Sequence, residues 1–384
     1  VLEATAGAPD LLAALSEWPP ADGIQHLTTR IAVERRRATY LLLSGERDAA
    51  AKERFADAFV GRLAPLPALR ALLAATEWSA SRLEEIGVCG FKFFAHRVLG
   101  LAPDEPAEVD LNALEEGKLI HRLLEDLLRR GESLPADPGA AAALVRRFMA
   151  ERRVVLASAL RGADPRLVDL AWERARDVLV EFVVAETRAV TLLVPGARRA
   201  HLLEWPFRFT ITDHRDLPPG ERVDVSVTGA LDRADLVLDA EGRIVAAEVL
   251  DYKNTKRTDE YASRIDLGRA MGTTAFQVPV YALALRTAPD LAWEPEATVA
   301  GGYLLLRAEE KRVMTPLPPA LLELDPHARR AFGADDPGRP FANRIVELSA
   351  AAARGRFDVD PHPCDPYCHY RHMCRYQPPP EEDA

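Results

Sequence analysis

The sequence predicts an α/β protein: a mixed central sheet flanked by helices, with a large helical portion ahead of it. Three observations carry this reading. Between residues 201 and 253, the stretches HLLEWPFRFTIT, ERVDVSVTGALDRADLVLD and RIVAAEVLDYK alternate apolar and polar positions or are rich in β-branched residues. Upstream, LLAALSEW, RDAAAKERFADAFVGRL and EGKLIHRLLEDLLRR carry apolar residues at helical spacing. Downstream, a helical pattern returns from 266 through AFQVPVYALALRTA, followed by a strand-like GGYLLLRA (301–308) and a helix over 340–355.

Residues 1–75 read as a helical segment, within which HLTTRIAVERRRATYLLLSGE joins a basic cluster to a short apolar run. After PLPALRALLAA a helix starts at WSASRLEEIG, where Ser81 and Glu84 have the spacing of a capping box, and Cys89 closes it. The most regular helix is 116–130. Leu119, Ile120, Leu123, Leu124, Leu127 and Leu128 cover one side, and His121 falls just off the edge of that stripe. GESLPADPG (131–139) is a loop, and 140–195 holds two or three helices, so that about 131–200 forms a helical insertion. DAEG (239–242) is a turn between two strand-like runs and predicts an antiparallel hairpin. The domain expected to carry function spans 76–378, and the tail 379–384 reads as disordered.

The 384 residues are 48% hydrophobic, enough for a sizeable core. No apolar stretch approaches the roughly 20 residues a membrane helix needs, and the first residues lack the basic start of a signal peptide. A cytoplasmic protein without a membrane partner is expected. The chain begins at Val1, which predicts a processed form or a fragment of something longer. A net charge of −10 argues against indiscriminate coating of nucleic acid but leaves room for a local basic channel. Of the four cysteines, Cys364, Cys368 and Cys374 cluster and Cys89 lies far upstream. In a reducing compartment such a cluster suits a metal better than disulfides.

The apolar run VAAEVL ends in Asp251-Tyr252-Lys253. On a strand, i and i+2 share a face, so an acid and a base emerge together. The hairpin turn brings Asp232 to the level of Asp251. Two carboxylates and an ammonium suit a Mg²⁺ site that handles phosphate, because hard oxygen ligands hold a hard ion. The alternative is a salt bridge closing the hairpin. Gln277 and Tyr281 fall on one helix face, and Pro279 suits a first turn, which places the helix start near Ala275. Asp235 is a second-rank ligand candidate or a partner of Arg233.

In order, G-A-L-D (229–232), V-L-D-Y-K (249–253) and Q-V-P-V-Y (277–281) resemble the PD-(D/E)XK nucleases of the RecB and AddB type. EGKLIHRLLE resembles that family's helix with a metal-binding histidine, here His121. The resemblance spans about 78–376. It implies a restriction-endonuclease-like core with a Mg²⁺ or Mn²⁺ held by His121, Asp232, Asp251 and the Tyr252 carbonyl. Lys253 would orient the attacking water, Gln277 and Tyr281 would contact DNA or position the catalytic strand, and Lys256, Arg257 and Arg264 would line a DNA channel. In the AddB branch one cysteine before the core and three after it bind a [4Fe–4S] cluster. Cys89, Cys364, Cys368 and Cys374 take those places and would clamp the fold. Here the last three are spaced C-x3-C-x5-C, where the family has C-x2-C-x5-C, so a structural Zn²⁺ stays open, with His362, His369 and His372 nearby.

AVERRRATYLLLSG (32–45) faintly resembles the last helicase motif of UvrD-like proteins; a basic helix running into a short strand is the equal alternative. No Walker A sequence occurs. The resemblance implies a DNA nuclease, most simply an exonuclease, acting on single strands or duplex ends in break repair beside an AddA-like helicase. A non-catalytic strand-guiding module and a free-standing nuclease are the alternatives.

Overall fold

The computed structural model describes residues 21–43, 60–63, 67–101, 113–156, 165–190, 198–212, 224–325, 340–359, 364 and 368–374. LLAALSEW, most of RDAAAKERFADAFVGRL, Ser44-Gly45, His362 and the C-terminal tail lie outside them. Contacts divide the chain into two compact units. One comprises Thr76–Glu84 and Pro103–Leu348, the other Val1–Ala75, Glu85–Ala102 and Ser349–Ala384.

The helices are α1 Ala21–Leu43, α2 Pro67–Ala74, α3 Ala80–Val88, α4 Gly90–Phe93, α5 Ala113–Arg129, α6 Pro138–Leu156, α7 Pro165–Val190, α8 Thr258–Arg264, α9 Gln277–Thr287, α10 Phe341–Ala353 and α11 Arg371–Cys374. The strands are β1 Arg198–Thr212, β2 Asp224–Leu238, β3 Ile244–Lys253, β4 Trp293–Leu305 and β5 Arg312–Leu317. They form one sheet in the order β1-β2-β3-β4-β5. Only the β3–β4 pair is parallel, so the sheet is mixed, and the crossover between them carries α8 and α9. Pro206 and Pro316 sit in the two edge strands, where a missing ladder donor is tolerated.

Leu119, Ile120, Leu123, Leu124 and Leu127 of α5 pack with Val145 and Phe148 of α6, Leu179 and Phe182 of α7, and Tyr252, Leu304 and Leu306 at the sheet. Helix α9 contacts β1, β3 and β4 and is buried from Val278 to Leu285. Its close approach needs Gly301, where a Cβ would meet Val278 at 2.4 Å. Trp78 bridges onto β2, exchanging main-chain bonds of 2.8 Å with Ser226 and Thr228. In the second unit, Phe357 stacks on Phe94 at 4.9 Å, Tyr370 donates to the Leu101 carbonyl in a 2.5 Å bond, and Arg37 donates to the Cys374 carbonyl.

Several expectations shift. The capping box fails because Ser79, not Ser81, accepts the Arg82 N–H at 3.4 Å, which places Ser81 inside the helix. Cys89 does close α3, its N–H bonding the Glu85 carbonyl at 3.0 Å, but its extended backbone also opens α4 directly after it. The run TYLLL is helical, continuous with α1, so no short strand follows the basic cluster among the described residues. Residues 266–275 form turns, and α9 starts at Gln277 with Pro279 in its first turn. The short α8 and the edge strand β5 were not anticipated. Among the described residues, no helix is long and apolar enough to cross a membrane.

Candidate metal-binding active site

The site grows from the β2–β3 hairpin. DAEG turns as expected, with Gly242 at φ 82, a left-handed conformation that glycine adopts freely. Arg233 pairs with Leu250, so the next step along that register sets Asp232 beside Asp251. Asp232 Oδ2 accepts the Tyr252 N–H at 2.8 Å, tying the carboxylate to the end of β3. Gly229, at the head of the G-A-L-D stretch, faces the Phe207 ring; a Cβ there would lie 2.9 Å from it. Phe207 in turn meets Tyr281 edge-on, at 6.1 Å between centroids.

The period of two puts Asp251 and Lys253 on the face toward α9 and Tyr252 on the opposite one. Lys253 Nζ lies 2.6 Å from Asp251 Oδ2, and the Tyr281 hydroxyl reaches Asp251 Oδ1 at 3.4 Å. Asp251 is 2% exposed, and Oδ2 accepts no well-aligned hydrogen bond despite its contact with the ammonium. That oxygen is held by the ammonium, and a cation there would share it. His121, from α5, brings Nε2 to 3.1 Å from the Tyr252 carbonyl and Nδ1 to 3.6 Å from Asp232 Oδ2. Five of the expected residues thus converge: His121, Asp232, Asp251, the Tyr252 carbonyl and Lys253.

Sequence reasoning missed Glu204. Its carboxylate joins His121 and Asp232 in a group whose ligand atoms lie within 4.8 Å of one another. The β1–β2 register on either side, Leu203 with Arg233 and Trp205 with Leu231, sets Glu204 across from Asp232. Glu204 has φ 45, the only positive value at a non-glycine among the described residues. Such backbone costs about 1–2 kcal/mol for an ordinary L-residue, and strain of this kind gathers at functional sites. Nothing in the local sequence signals it; only the pairing of β1 with β2 does.

Electrostatics fit a cation. Asp232 is raised well above the usual carboxylate range, chiefly by burial and then by the Asp251 charge. Glu204 is raised by burial and by Glu125. His121 is lowered, mainly by burial, so its imidazole is neutral at pH 7. Burial works against the Lys253 ammonium, but the pull of Asp251 outweighs it and the net shift is upward. Lys253 therefore stays charged, and can donate but not accept a proton.

The raised acids give a pH prediction. Between their unfolded and folded pKa values the native metal-free protein holds more protons than the unfolded chain. Raising the pH through that window destabilises it. A bound divalent ion removes the penalty. Mn²⁺ is expected to raise the melting temperature more at about pH 8 than at about pH 5.5, with protons released on binding. Equal shifts at both pH values would contradict this electrostatic picture.

The remaining expected residues are less central. Gln277 is half-buried at the first position of α9. Lys256 and Arg257 are exposed beyond β3, and Arg257 pairs with Glu260 at 3.4 Å. Arg264 is half-buried over the Tyr261 ring, 5.6 Å from its centroid. Asp235 is no ligand: Arg233 and His201 contact it at 2.7 and 2.6 Å, and Arg199 also binds it.

In the second unit, Cys89, Cys364 and Cys368 are half-buried and Cys374 is buried. The Cys89 thiol is pushed up to about 11, mostly by burial, with the nearby Cys374 and Cys368 adding to the rise. Three sulfurs therefore share one neighbourhood.

The geometry agrees with comparison to known families. A family model described as PD-(D/E)XK nuclease superfamily matches residues 77–375. No curated protein matches the chain.

Proposed function

Because the chain belongs to the PD-(D/E)XK nuclease superfamily, we propose that it is a divalent-metal-dependent DNA nuclease. The observation that carries this is the convergence of His121, Asp232, the Tyr252 carbonyl and the Asp251–Lys253 pair at the end of β3. Two carboxylates, a neutral imidazole and a carbonyl are a donor set that suits Mg²⁺ or Mn²⁺. An ion held there supplies Lewis-acid stabilisation of charge on the phosphoryl oxygens.

The chain's own residues do the rest. The Lys253 ammonium, fixed by Asp251, donates to the attacking water or to a phosphate oxygen and offsets negative charge as it builds. Tyr281 holds Asp251 from the far side. Asp232 accepts the Tyr252 N–H, which ties the two strands together at the site, and would also hold the ion. Lys256 and Arg257 would meet the phosphates of the incoming strand. The test is cleavage of end-labelled single- and double-stranded DNA with Mg²⁺, with Mn²⁺ and with chelator. DNA binding without cleavage under every condition would favour a strand-guiding module. The labelled products also separate exonuclease from endonuclease action; we propose the former.

Glu204 enters as a further ligand. Glu204→Gln is expected to weaken Mn²⁺ binding by about 10–100-fold. Glu204→Gly should do the same while stabilising the metal-free protein by roughly 1 kcal/mol, through relief of the positive φ. Calorimetric titration beside a melting curve measures both; unchanged affinity in both variants removes Glu204 from the site.

For the second unit we propose that Cys89, Cys364, Cys368 and Cys374 hold a [4Fe–4S] cluster, with Zn²⁺ as the alternative. Support comes from the shared neighbourhood of Cys89, Cys368 and Cys374 and from thiol chemistry. A thiol raised to about 11 stays protonated at pH 7 until a metal displaces its proton. Iron, sulfide and zinc analysis of protein purified without oxygen decides between them. A role in break repair beside an AddA-like helicase rests on the motif order and cysteine pattern, and co-purification tests it.

A further inference from the structure

Helix α9 is buried from Val278 to Leu285. The first N–H groups of any helix have no partner within it, and burying them unpaired is costly. Here the N-cap residue is Phe276, which has no side-chain acceptor, and Pro279 has no N–H at all. The acceptor comes from far away in the sequence. Glu84 Oε1 takes the N–H of Phe276 at 2.9 Å and that of Gln277 at 3.2 Å. A single carboxylate oxygen pins the peptide at which α9 begins.

What α9 carries makes that pin matter. One turn further on, the Tyr281 hydroxyl reaches Asp251 Oδ1 at 3.4 Å, and Asp251 in turn holds Lys253 at 2.6 Å. At 3.4 Å the tyrosine bond is near the limit of a useful hydrogen bond. A small slide of α9 away from the sheet breaks it, leaving one Asp251 oxygen unrestrained. Burial raises the Glu84 carboxyl, while Arg264 and Lys253 favour its charged form. The same carboxylate therefore also faces the basic side of the site.

We propose that Glu84 is a positioning residue of the nuclease site: it fixes the start of α9 and, through Tyr281, the carboxylate of Asp251, without touching the reacting atoms. The inference rests on the nuclease reading of Asp251 and Lys253.

The test compares the whole chain with Glu84→Ala and Glu84→Gln, at a temperature where melting curves show all three folded. Three quantities are measured: kcat and KM for DNA cleavage with Mg²⁺, Mn²⁺ affinity by calorimetry, and amide hydrogen exchange at residues 276–277. For Glu84→Ala, kcat is expected to fall at least about tenfold, because small misplacements near reacting groups are expensive. KM should stay within about threefold, since substrate binding in the ground state is untouched. Mn²⁺ affinity should fall, and exchange at 276–277 should quicken. Glu84→Gln keeps an acceptor oxygen and should recover most of kcat. A purely structural cap would lower the melting temperature yet leave kcat and Mn²⁺ affinity of the folded protein unchanged; that result overturns the proposal. Equal kcat losses in the Gln and Ala variants overturn it too, because the acceptor oxygen would then not be what matters. A parent chain that neither binds Mn²⁺ nor cuts DNA is a separate result: it defeats the nuclease reading, and this proposal falls with it.

Discussion

Asp251→Ala is expected to remove metal-dependent DNA cleavage, lowering kcat by at least about 10³-fold, and Lys253→Ala by about 10²–10³-fold. Asp251 carries two loads at once. Under the proposed function it is a ligand of the ion at the end of β3, and the same carboxylate fixes the Lys253 ammonium. Loss of Asp251 therefore weakens metal binding and frees the lysine together. Loss of Lys253 leaves the ligands in place, so Lys253→Ala should keep most of its Mn²⁺ affinity while losing rate. That split separates the two roles. Asp251→Asn is the shape-preserving control, because it still accepts from Tyr281. Initial rates on end-labelled DNA, beside calorimetric Mn²⁺ titration, measure both. Full activity in Asp251→Ala or Lys253→Ala would falsify the nuclease reading. The pair would then be an ion pair that closes the sheet.

The hairpin and its two acids were legible because local rules suffice for them. DAEG supplies a turn, a period of two supplies the faces, and counting back from the turn sets Asp232 level with Asp251. His121 was legible only through the resemblance of EGKLIHRLLE to the family's histidine-bearing helix; the apolar stripe beside it on α5 could not say what it faced. Glu204 was not, since its place depends on how β1 pairs with β2 and on a backbone conformation that glutamate seldom adopts. Glu84 was misassigned for a related reason. A Ser-x-x-Glu pattern invites a local cap, yet Ser79 performs the capping of α3 and the glutamate is spent on α9 instead. Strand β5 was missed because RVMTPL is short and contains proline, which weakens any strand signal. The apolar continuity of TYLLL left a short strand open as one of two equal alternatives, but the run continues α1, as leucine's helix preference allows.

Next to Asp232 lies the residue on which stability should depend most. Arg233→Met is expected to cost about 3–5 kcal/mol, because breaking a buried ion pair strands the remaining charges. Arg233 is fully buried, a step along β2 from Asp232 and on the other face. Its guanidinium donates to Asp235 at 2.7 and 2.8 Å and to Glu186 at 3.1 Å. Arg312 reaches Glu186 at 3.3 Å and Arg199 binds both acids, so the variant keeps partial compensation and should fall toward the lower end of that range. The pH dependence gives a second handle. Burial would raise the Asp235 carboxyl, but the His201 hydrogen bond and the Arg233 charge overcome it, and it is held far below the usual carboxylate range. A depressed carboxyl contributes stability that is present above its unfolded pKa of about 4 and is lost as the pH falls toward the folded value. The penalty of Arg233→Met should therefore be largest near neutral pH and shrink below about pH 4. Adding Glu186→Leu to Arg233→Met should recover part of the loss, since apolar replacement of both partners of a buried pair is often close to neutral. Urea unfolding followed by circular dichroism at both pH values measures this. A cost under about 1 kcal/mol at neutral pH would mean that the other arginines carry the network, and that Arg233 is there to shape β2 beneath Asp232 rather than to stabilise the fold.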